Sequence, residues 1–257
     1  MLVIDKKILT FNTKEVHFSD NPFDIDACDF LKFCYCKNKV DVKGFTSKKE
    51  YTIVIDLTQD LNTIWQNMDK KQVRARINHA QKAGIIIRKN EGYEKFFQMY
   101  KLFIQKKGIK SFFDILGVGS TTLESMKKNG TLFVAEYNDE ILIGTLCLED
   151  GSHIKSWISG SKRFEMDSSK KKLISCCDRL IDWEIIKYAK DKDIKEFDMG
   201  GIWPEEEAAK DIEKAGINNF KLAYGGKVIS YNSYQKYYSK IFCLMSYIYG
   251  LKNLVSR

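Results

Sequence analysis

Two short segments each place a charged side chain near a pair of glycines. Lys221 lies in NNFKLAYGG, just before the glycines at 225–226, and Asp198 precedes Gly200 and Gly201 in EFDMGG. A lysine ammonium suits an anionic tetrahedral intermediate, and an aspartate could orient or deprotonate an amine. Glycine lets a backbone approach a ligand closely. The alternatives are an exposed lysine on a strand or helix edge, and a turn-forming aspartate whose glycines relieve backbone strain.

A basic stretch supplies the candidate groups for binding phosphate. From Lys70 to Asn90 there are seven lysines or arginines and no carboxylate, in a chain whose net charge is +8. Such a field attracts a polyanion or a phosphorylated substrate. Arg74, Arg76 and Lys82 are the phosphate-binding candidates, because guanidinium groups bind phosphate in bidentate fashion. The alternative is an amphipathic helix that simply exposes its polar side.

Aromatic side chains near these segments are candidates for shaping a substrate site. Trp203 could stack on an adenine or a sugar, although most tryptophans serve core or rim packing. Phe220, next to Lys221, would fix the local backbone and form a wall of the site, and Tyr224 belongs to the same segment.

Metal and covalent chemistry have weak support in the sequence. The three histidines, at 17, 79 and 153, lie far apart, and the seven cysteines do not form the paired CxxC units of structural zinc sites. We therefore predict no metal and no cofactor. Odd, irregularly spaced cysteines favour reduced thiols in the cytoplasm.

Composition limits the class of protein. The chain has 257 residues, of which 44% are hydrophobic and 30% charged, with two prolines. These values exclude a disordered, collagen-like or disulfide-stapled protein. Because the sequence shows no long apolar run and no signal-peptide pattern, we expect a cytoplasmic protein.

Hydrophobic periodicity predicts the elements that must position these groups. The pattern becomes clear at Tyr51, so we predict a short N-terminal extension, or degenerate first domain, over 1–50 and one domain over 51–257. The predicted elements are a strand at 51–57, a helix from 61, a basic helix ending at Gly84, a strand at 85–88, an aromatic helix, a meander over 132–159, a helix at 172–191, a strand at 195–199 ending at the glycine pair, a shorter helix, a strand at 227–231 and a C-terminal helix.

Strands joined by short turns and flanked by helices favour a mixed, mostly antiparallel sheet of the α/β (α+β) class over a doubly wound parallel one. The order of elements is compatible with an N-acetyltransferase-like (GNAT-like) sheet. Residue patterns alone lead no further than this fold class.

Four segments, in the same order, resemble the Fem-type aminoacyltransferases and their GNAT-fold relatives. The first segment covers a strand, a helix and the basic helix, and the second covers the meander. The third covers the helix and the strand that end in DMGG, and the fourth contains Phe220, Lys221 and the glycines at 225–226. The segments are TIVIDLTQDLNTIWQNMDKKQVRARINHAQKAGIIIRK (52–89), TLFVAEYNDEILIGTLCLEDGSHIKSWISGS (131–161), LIDWEIIKYAKDKDIKEFDMGG (180–201) and AGINNFKLAYGGKV (215–228).

The resemblance implies an enzyme that transfers an aminoacyl group from tRNA to an amine of a lipid- or nucleotide-linked peptidoglycan precursor, without a cofactor. It also implies that Lys221 contacts the reacting ester and the tRNA end. Fem-type enzymes usually have two GNAT-like domains, and the first 50 residues are too few to form one of them. A homodimer is one way to supply the missing part.

Two other functions remain open. One is an N-acyltransferase that uses acyl-CoA or an acyl carrier on an amino sugar, although the segment before the helix at Lys172 lacks the glycines of a pyrophosphate turn. The other is a non-catalytic tRNA- or RNA-binding module. The C-terminal segment from Ser233, rich in aromatic and basic residues, could lie on an anionic membrane surface, or it could dock on the core.

Overall fold

The computed structural model describes residues 1–107 and 122–248. Within them the strands are, in chain order, β1 (Leu2–Ile8), β2 (Phe11–His17), β3 (Phe30–Cys36), β4 (Thr46–Asp56), β5 (Ile86–Lys89), β6 (Thr131–Tyr137), β7 (Glu140–Glu149), β8 (His153–Ser161), β9 (Glu196–Ile202) and β10 (Lys227–Tyr237). The helices are α1 (Leu61–Asn67), α2 (Ala75–Lys82), α3 (Tyr93–Lys106), α4 (Leu123–Asn129), α5 (Ser168–Asp191), α6 (Glu205–Ala208), α7 (Ile212–Leu222) and α8 (Lys240–Ile248). In these same two ranges, no helix is long and apolar enough to cross a membrane.

The chain divides into two compact units. Of the described residues, the first unit contains 1–50, 122–125 and 230–248, and the second contains 51–107 and 126–229. The second unit therefore begins at Tyr51, where the sequence pattern becomes clear. The part of β10 after residue 229 pairs with β3 and groups with the N-terminal strands, while the expected domain over 51–257 stays a prediction.

The first unit is built on the strand order β1-β2-β3-β10. β1 and β2 form an antiparallel hairpin, β2 and β3 are parallel, and β3 and β10 are antiparallel. Two apolar clusters hold it together. One is centred on Phe30 and on Phe242 of α8, and the other on Leu31, Phe33 and Tyr234.

The second unit is built on the strand order β4-β9-β8-β7-β6-β5. Neighbouring strands are antiparallel except for β8 and β9, which run parallel. The predicted mixed, mostly antiparallel sheet flanked by helices is therefore confirmed. The meander is present as β6, β7 and β8, and its residues are mostly buried because helices pack against this sheet.

Two packed helices of the second unit, α5 and α2, carry the arginines and the buried aspartates of the site. α5 buries an apolar stripe that includes Ile174, Cys177, Ile181 and Ile185, and it packs on α2. Asp167 caps α5, so the helix begins four residues earlier than predicted. Before α2 lies a π-helical turn over Lys70–Arg74, capped by Asp69.

The basic helix follows its predicted pattern. Val73, Ile77 and Ala80 are fully buried, whereas Lys70, Asn78 and Lys82 are exposed. Gly84 follows the helix with a φ of +79°, the left-handed conformation that glycine adopts at a helix C-terminus. Arg74, four residues after Lys70, is half-buried, so the polar side of this helix is exposed only in part.

Candidate active site

Lys221 lies in the last turn of α7 and points to β9. Asp211 caps this helix by accepting hydrogen bonds from the backbone N–H groups of Glu213 and Lys214. The Lys221 ammonium donates a 2.8 Å hydrogen bond to the Gly201 carbonyl oxygen. Burial lowers the pKa of Lys221, and the nearby Asp198, Asp182 and Asp178 oppose that shift. The lysine is therefore a partly desolvated cation facing three carboxyl groups.

Asp198 lies in the middle of β9, not at its end. The prediction that this strand stops at the glycine pair is wrong, because β9 continues to Ile202 and pairs with β4 across Gly201. The Asp198 carboxylate accepts hydrogen bonds from the Thr52 hydroxyl, from the Gly200 N–H at 2.7 Å and from the Lys155 ammonium at 3.0 Å. Asp198 is therefore held firmly in place by three donors.

Gly200 brings the backbone close to Lys221. Its φ is +84°, and a Cβ atom there would lie 3.4 Å from the Lys221 Nζ and 3.5 Å from the Ser156 carbonyl oxygen. A side chain would therefore be strained by the backbone conformation and would press on the lysine. The structure thus brings Lys221, Asp198, Gly200 and Gly201 together, while their roles in catalysis stay predictions.

The sequence analysis missed two carboxyl groups on α5. Asp178 and Asp182 are one helical turn apart, and Asp182 is buried among apolar residues. Burial, together with the negative charge of the neighbouring Asp178, raises the pKa of Asp182 to about 8. Burial also raises the pKa of Asp178, against the effect of Arg179. Acidic residues four apart on an otherwise apolar helix face were the signal that could have found them.

Tyr224 completes this buried polar cluster. Its side chain is 1% exposed, and burial, together with Asp182 and Asp178, raises the pKa of its hydroxyl well above the ordinary value. Its ring packs edge-on against Phe220, with ring centroids 5.5 Å apart. Tyr224 therefore stays protonated at neutral pH, which makes it a proton donor in the cluster.

Two arginines converge on one serine beside Phe220. Arg76 and Arg179 donate hydrogen bonds of 2.7 and 2.9 Å to the Ser175 hydroxyl. The Arg179 guanidinium also stacks on the Phe220 ring, 4.3 Å from its centroid. Two guanidinium groups that meet at a neutral hydroxyl form a positive patch, and such a patch favours an anion. Arg76 is thereby linked to the segment of Lys221.

The other two basic candidates lie apart from this pair. Arg74 donates a 2.7 Å hydrogen bond to the Gln66 side chain on α1, which directs it away from Ser175. Lys82 is exposed at the end of α2. Arg179 was not predicted, because a single arginine in a long amphipathic helix carries no signal of its own.

Trp203 is half-buried and held through its backbone. The Asn218 side chain accepts a hydrogen bond from the Trp203 N–H and donates one to its carbonyl oxygen, at 3.1 and 2.8 Å. The Lys214 ammonium lies 5.9 Å from the indole centroid. The Trp203 ring therefore sits at the start of the connection from β9 to α7, where its predicted stacking role stays a prediction.

The glycines at 225–226 lie close to other segments of the same protein. A Cβ at Gly225, whose φ is +74°, would lie 2.5 Å from the Asn67 carbonyl oxygen, and one at Gly226 would lie 2.6 Å from Ile53. The sequence predicted close approach of a ligand here. The structure shows instead that these glycines let the end of α7 pack on α1 and β4. A small cavity of about 30 Å³ lies beside them, lined also by Asp56, Gln59 and Tyr224.

Comparison with known structures identifies the fold. The structure of FemX matches with a TM-score of 0.60 and 12% identity, over 95% of this chain and 85% of that one. The C-terminal domain of a putative lysylphosphatidylglycerol synthetase from Agrobacterium fabrum matches with a TM-score of 0.53 and 8% identity, over 97% and 84%. L-PGS from Bacillus licheniformis matches with a TM-score of 0.53 and 14% identity, over 86% and 73%.

The chain has a Fem-like fold. No family model and no curated protein sequence matches it, so this similarity is visible in the structure and not in overall sequence identity. The resemblance drawn from four short segments is confirmed at the level of the fold. Within a Fem-like fold, the cluster around Lys221 is our candidate active site.

Proposed function

We propose that this Fem-like chain is a transferase that moves an aminoacyl group from aminoacyl-tRNA to an amine of a lipid- or nucleotide-linked cell-envelope precursor. The observation that carries the proposal is the position of Lys221. Its ammonium is fixed by the Gly201 carbonyl and is partly desolvated, and the preceding residue, Phe220, is covered by Arg179, which shares Ser175 with Arg76. The similarity to FemX and to the lysylphosphatidylglycerol synthetase domain supports transfer of an aminoacyl group.

An aminoacyl ester is already activated, so alignment and charge stabilisation are the main tasks of the protein. The acceptor amine attacks the ester carbonyl, a C–N bond forms, and the carbonyl oxygen becomes anionic. Lys221 stabilises that oxygen, because a preorganised cation in a partly desolvated site contributes about 3–4 kcal/mol. The C–O bond to the ribose then breaks, and the proton lost by the amine passes to the leaving oxygen.

The carboxyl groups divide the remaining tasks. Asp198 orients the neutral acceptor amine and fixes the Gly200 backbone, since its oxygens accept from Thr52, Gly200 and Lys155. Asp182 acts as a positioning residue. With a pKa of about 8 it changes charge close to neutral pH, and this change alters the field at Lys221.

The arginine pair supplies the anion-binding part of the site. Arg76 and Arg179 meet at Ser175, and Arg179 covers Phe220, the residue before Lys221. A phosphate bound there would lie next to the lysine segment. We propose that it belongs to the tRNA end or to the diphosphate of the precursor, with Arg74, Lys82 and Trp203 contributing at a greater distance.

An acyl-CoA donor has less support. In such enzymes the pyrophosphate binds to free backbone N–H groups at a helix start. At the start of α5, the Asp167 carboxylate accepts from the N–H groups of Ser169 and Lys170 at 2.9 Å each. A negative side chain thus occupies the position that the pyrophosphate would need.

Membrane contact and dimerisation are lesser parts of the proposal. α8 exposes Ile241, Leu244 and Tyr247, which are 60–71% accessible, as an interfacial helix would. Residues 249–257, the rest of the segment that suggested membrane contact, lie outside the described residues. We propose that the enzyme works in the cytoplasm at the inner face of the membrane and that a second copy of the chain completes it.

The test is transfer itself. The purified chain is incubated with radiolabelled aminoacyl-tRNA and a lipid-linked or nucleotide-linked peptidoglycan precursor, and the labelled precursor is separated from tRNA. We expect label in an amide that resists mild base, which cleaves esters. If the precursor is labelled by acyl-CoA and not by aminoacyl-tRNA, the donor is acyl-CoA. Binding of tRNA without any transfer would favour a binding module.

A further inference from the structure

The first unit contains a cluster of polar side chains that the proposed function does not use. Glu15 and His17 lie two residues apart on β2, so their side chains share one face of the strand. Cys34 lies directly opposite His17 in the parallel pairing of β2 with β3. His17 and Cys34 are buried, with exposed fractions of 2% and 4%. Three metal-ligating side chains are thus gathered at one buried point.

The distances in this cluster match a metal coordination sphere. The Glu15 Oε1 atom lies 3.3 Å from the His17 Nε2 atom and 3.4 Å from the Cys34 Sγ atom. All three ligand atoms lie within 4.8 Å of one another. Zinc–nitrogen, zinc–oxygen and zinc–sulfur bonds of about 2.0–2.3 Å in a tetrahedral arrangement place ligand atoms about 3.3–3.8 Å apart. The carboxylate is therefore already at coordination spacing from both other groups.

An ion pair with Lys6 orients the Glu15 carboxylate. Lys6 of β1 forms an ion pair with the Glu15 Oε2 atom, which leaves the Oε1 atom directed at His17 and Cys34. Outer contacts of this kind orient metal ligands in known sites. Lys32 of β3 lies opposite Glu15 in the pairing of the two strands, so a second positive charge lies beside the carboxylate.

We propose that Glu15, His17 and Cys34 form a binding site for a zinc ion that joins β2 to β3. The set contains one carboxylate, one imidazole and one thiolate, which suits a borderline-soft divalent ion such as Zn²⁺ and excludes Mg²⁺ or Ca²⁺. Because the three ligands come from two strands, their spacing in the sequence matches no zinc motif. The ion would stabilise the first unit, and the thiol would release one proton when zinc binds.

The direct test is metal binding by the full chain. The protein is purified with a chelator, dialysed, and titrated with Zn²⁺ against a chromophoric competitor, while proton release is recorded in weak buffer. We expect one zinc and about one proton per chain, and a melting temperature raised by about 5–10 °C when zinc exceeds its Kd 100-fold. Binding well below one ion per chain at micromolar zinc would overturn the proposal.

Variants and cobalt identify the ligands. Cys34→Ala and His17→Ala should each weaken zinc binding at least 100-fold, whereas Cys28→Ser, at a partly buried thiol outside the cluster, should bind as the parent does. Equal binding by Cys34→Ala and the parent would contradict the assignment. If the variants fail to fold, Co²⁺ titration of the parent chain still shows whether a cysteine is a ligand, because a thiolate ligand produces a sulfur-to-cobalt charge-transfer band. Its absence in a cobalt-loaded protein would also refute the site.

Discussion

The ammonium of Lys221 is tied to the carbonyl oxygen of Gly201 by a 2.8 Å hydrogen bond. This bond joins the last turn of α7 to β9 and holds the lysine close to Gly200, where a Cβ would lie 3.4 Å from the lysine nitrogen. A lysine carries three N–H donors, so one bond to the protein orients the group and leaves it able to bind a substrate oxygen. The predictions below depend on this arrangement.

Replacing Lys221 should abolish most of the activity but should change the stability of the protein only slightly. We expect Lys221→Ala to lower kcat about 10²–10³-fold, the usual cost of losing one oxyanion donor. Lys221→Arg should retain part of the rate, because it keeps the charge. Rates of aminoacyl transfer at saturating substrate measure the effect. Lys210→Ala, at an exposed lysine near the same helix, is the control, and equal rates for Lys221→Ala and Lys210→Ala would refute the role.

Asp182→Asn should change how stability depends on pH. The folded-state pKa of Asp182 is about 8, above its ordinary value of 3.8, so the folded protein holds a proton that the unfolded chain releases. Stability of the parent should therefore fall as pH rises from about 4 to about 8, by at most about 1.4 kcal/mol per pH unit. The asparagine variant should lose this dependence. Urea unfolding at several pH values measures it.

The matched control for that experiment is Asp191→Asn. Asp191 lies on the same helix but is exposed, so its replacement should shift the stability curve without changing its slope. In the transfer reaction, Asp182→Asn should also remove an ionisation near pH 8 from the pH profile. A parent and a D182N variant with parallel curves in both measurements would mean that Asp182 titrates normally.

Alanine at Gly225 and at Gly216 should act in opposite directions. Gly225 has a φ of +74°, and its added Cβ would meet the Asn67 carbonyl oxygen at 2.5 Å, so Gly225→Ala should cost about 1–3 kcal/mol of stability. Gly216 lies inside α7 with open space around it, so Gly216→Ala should stabilise by about 0.5–1 kcal/mol. Thermal unfolding compares them, and two variants of equal stability would contradict the packing described.

The exposed cation on α2 should be visible in the salt dependence of tRNA binding. If Lys82 contacts a phosphate, Lys82→Ala should reduce the slope of log affinity against log salt by about one ion. Lys195→Ala is the control, since Lys195 forms an ion pair with Asp193 at the loop before β9. Filter binding over a range of salt concentrations measures both. The same slope for Lys82→Ala and the parent would remove Lys82 from the tRNA-binding surface.

Local patterns were enough to predict most of the helices and strands of the second unit. The meander, the two faces of the basic helix and the left-handed Gly84 all follow from periodicity and glycine chemistry, which act over a few residues. The predicted strand corresponding to β9 was too short, because a glycine pair usually marks a turn. Here Gly201 pairs with Thr52 of β4, and this contact between distant segments overrides the local preference of glycine.

The unpredicted parts depend on contacts between distant residues. The parallel pairing of β2 with β3, and the antiparallel pairing of β3 with β10, join segments whose patterns do not reveal one another. In the site, Lys221 and Asp198 were found because each lies beside glycines. Asp182 and Arg179 were missed, because their importance comes from burial and from stacking on Phe220, which only the fold reveals.

The central claim is that Lys221 stabilises the anionic intermediate of aminoacyl transfer. Single-turnover transfer from radiolabelled aminoacyl-tRNA to the cell-envelope precursor tests it most directly, with the parent and Lys221→Ala compared at equal tRNA occupancy. We predict that the variant binds tRNA within a few-fold of the parent while its transfer step slows by about 10²–10³. A Lys221→Ala chain that transfers the aminoacyl group as fast as the parent would contradict the account.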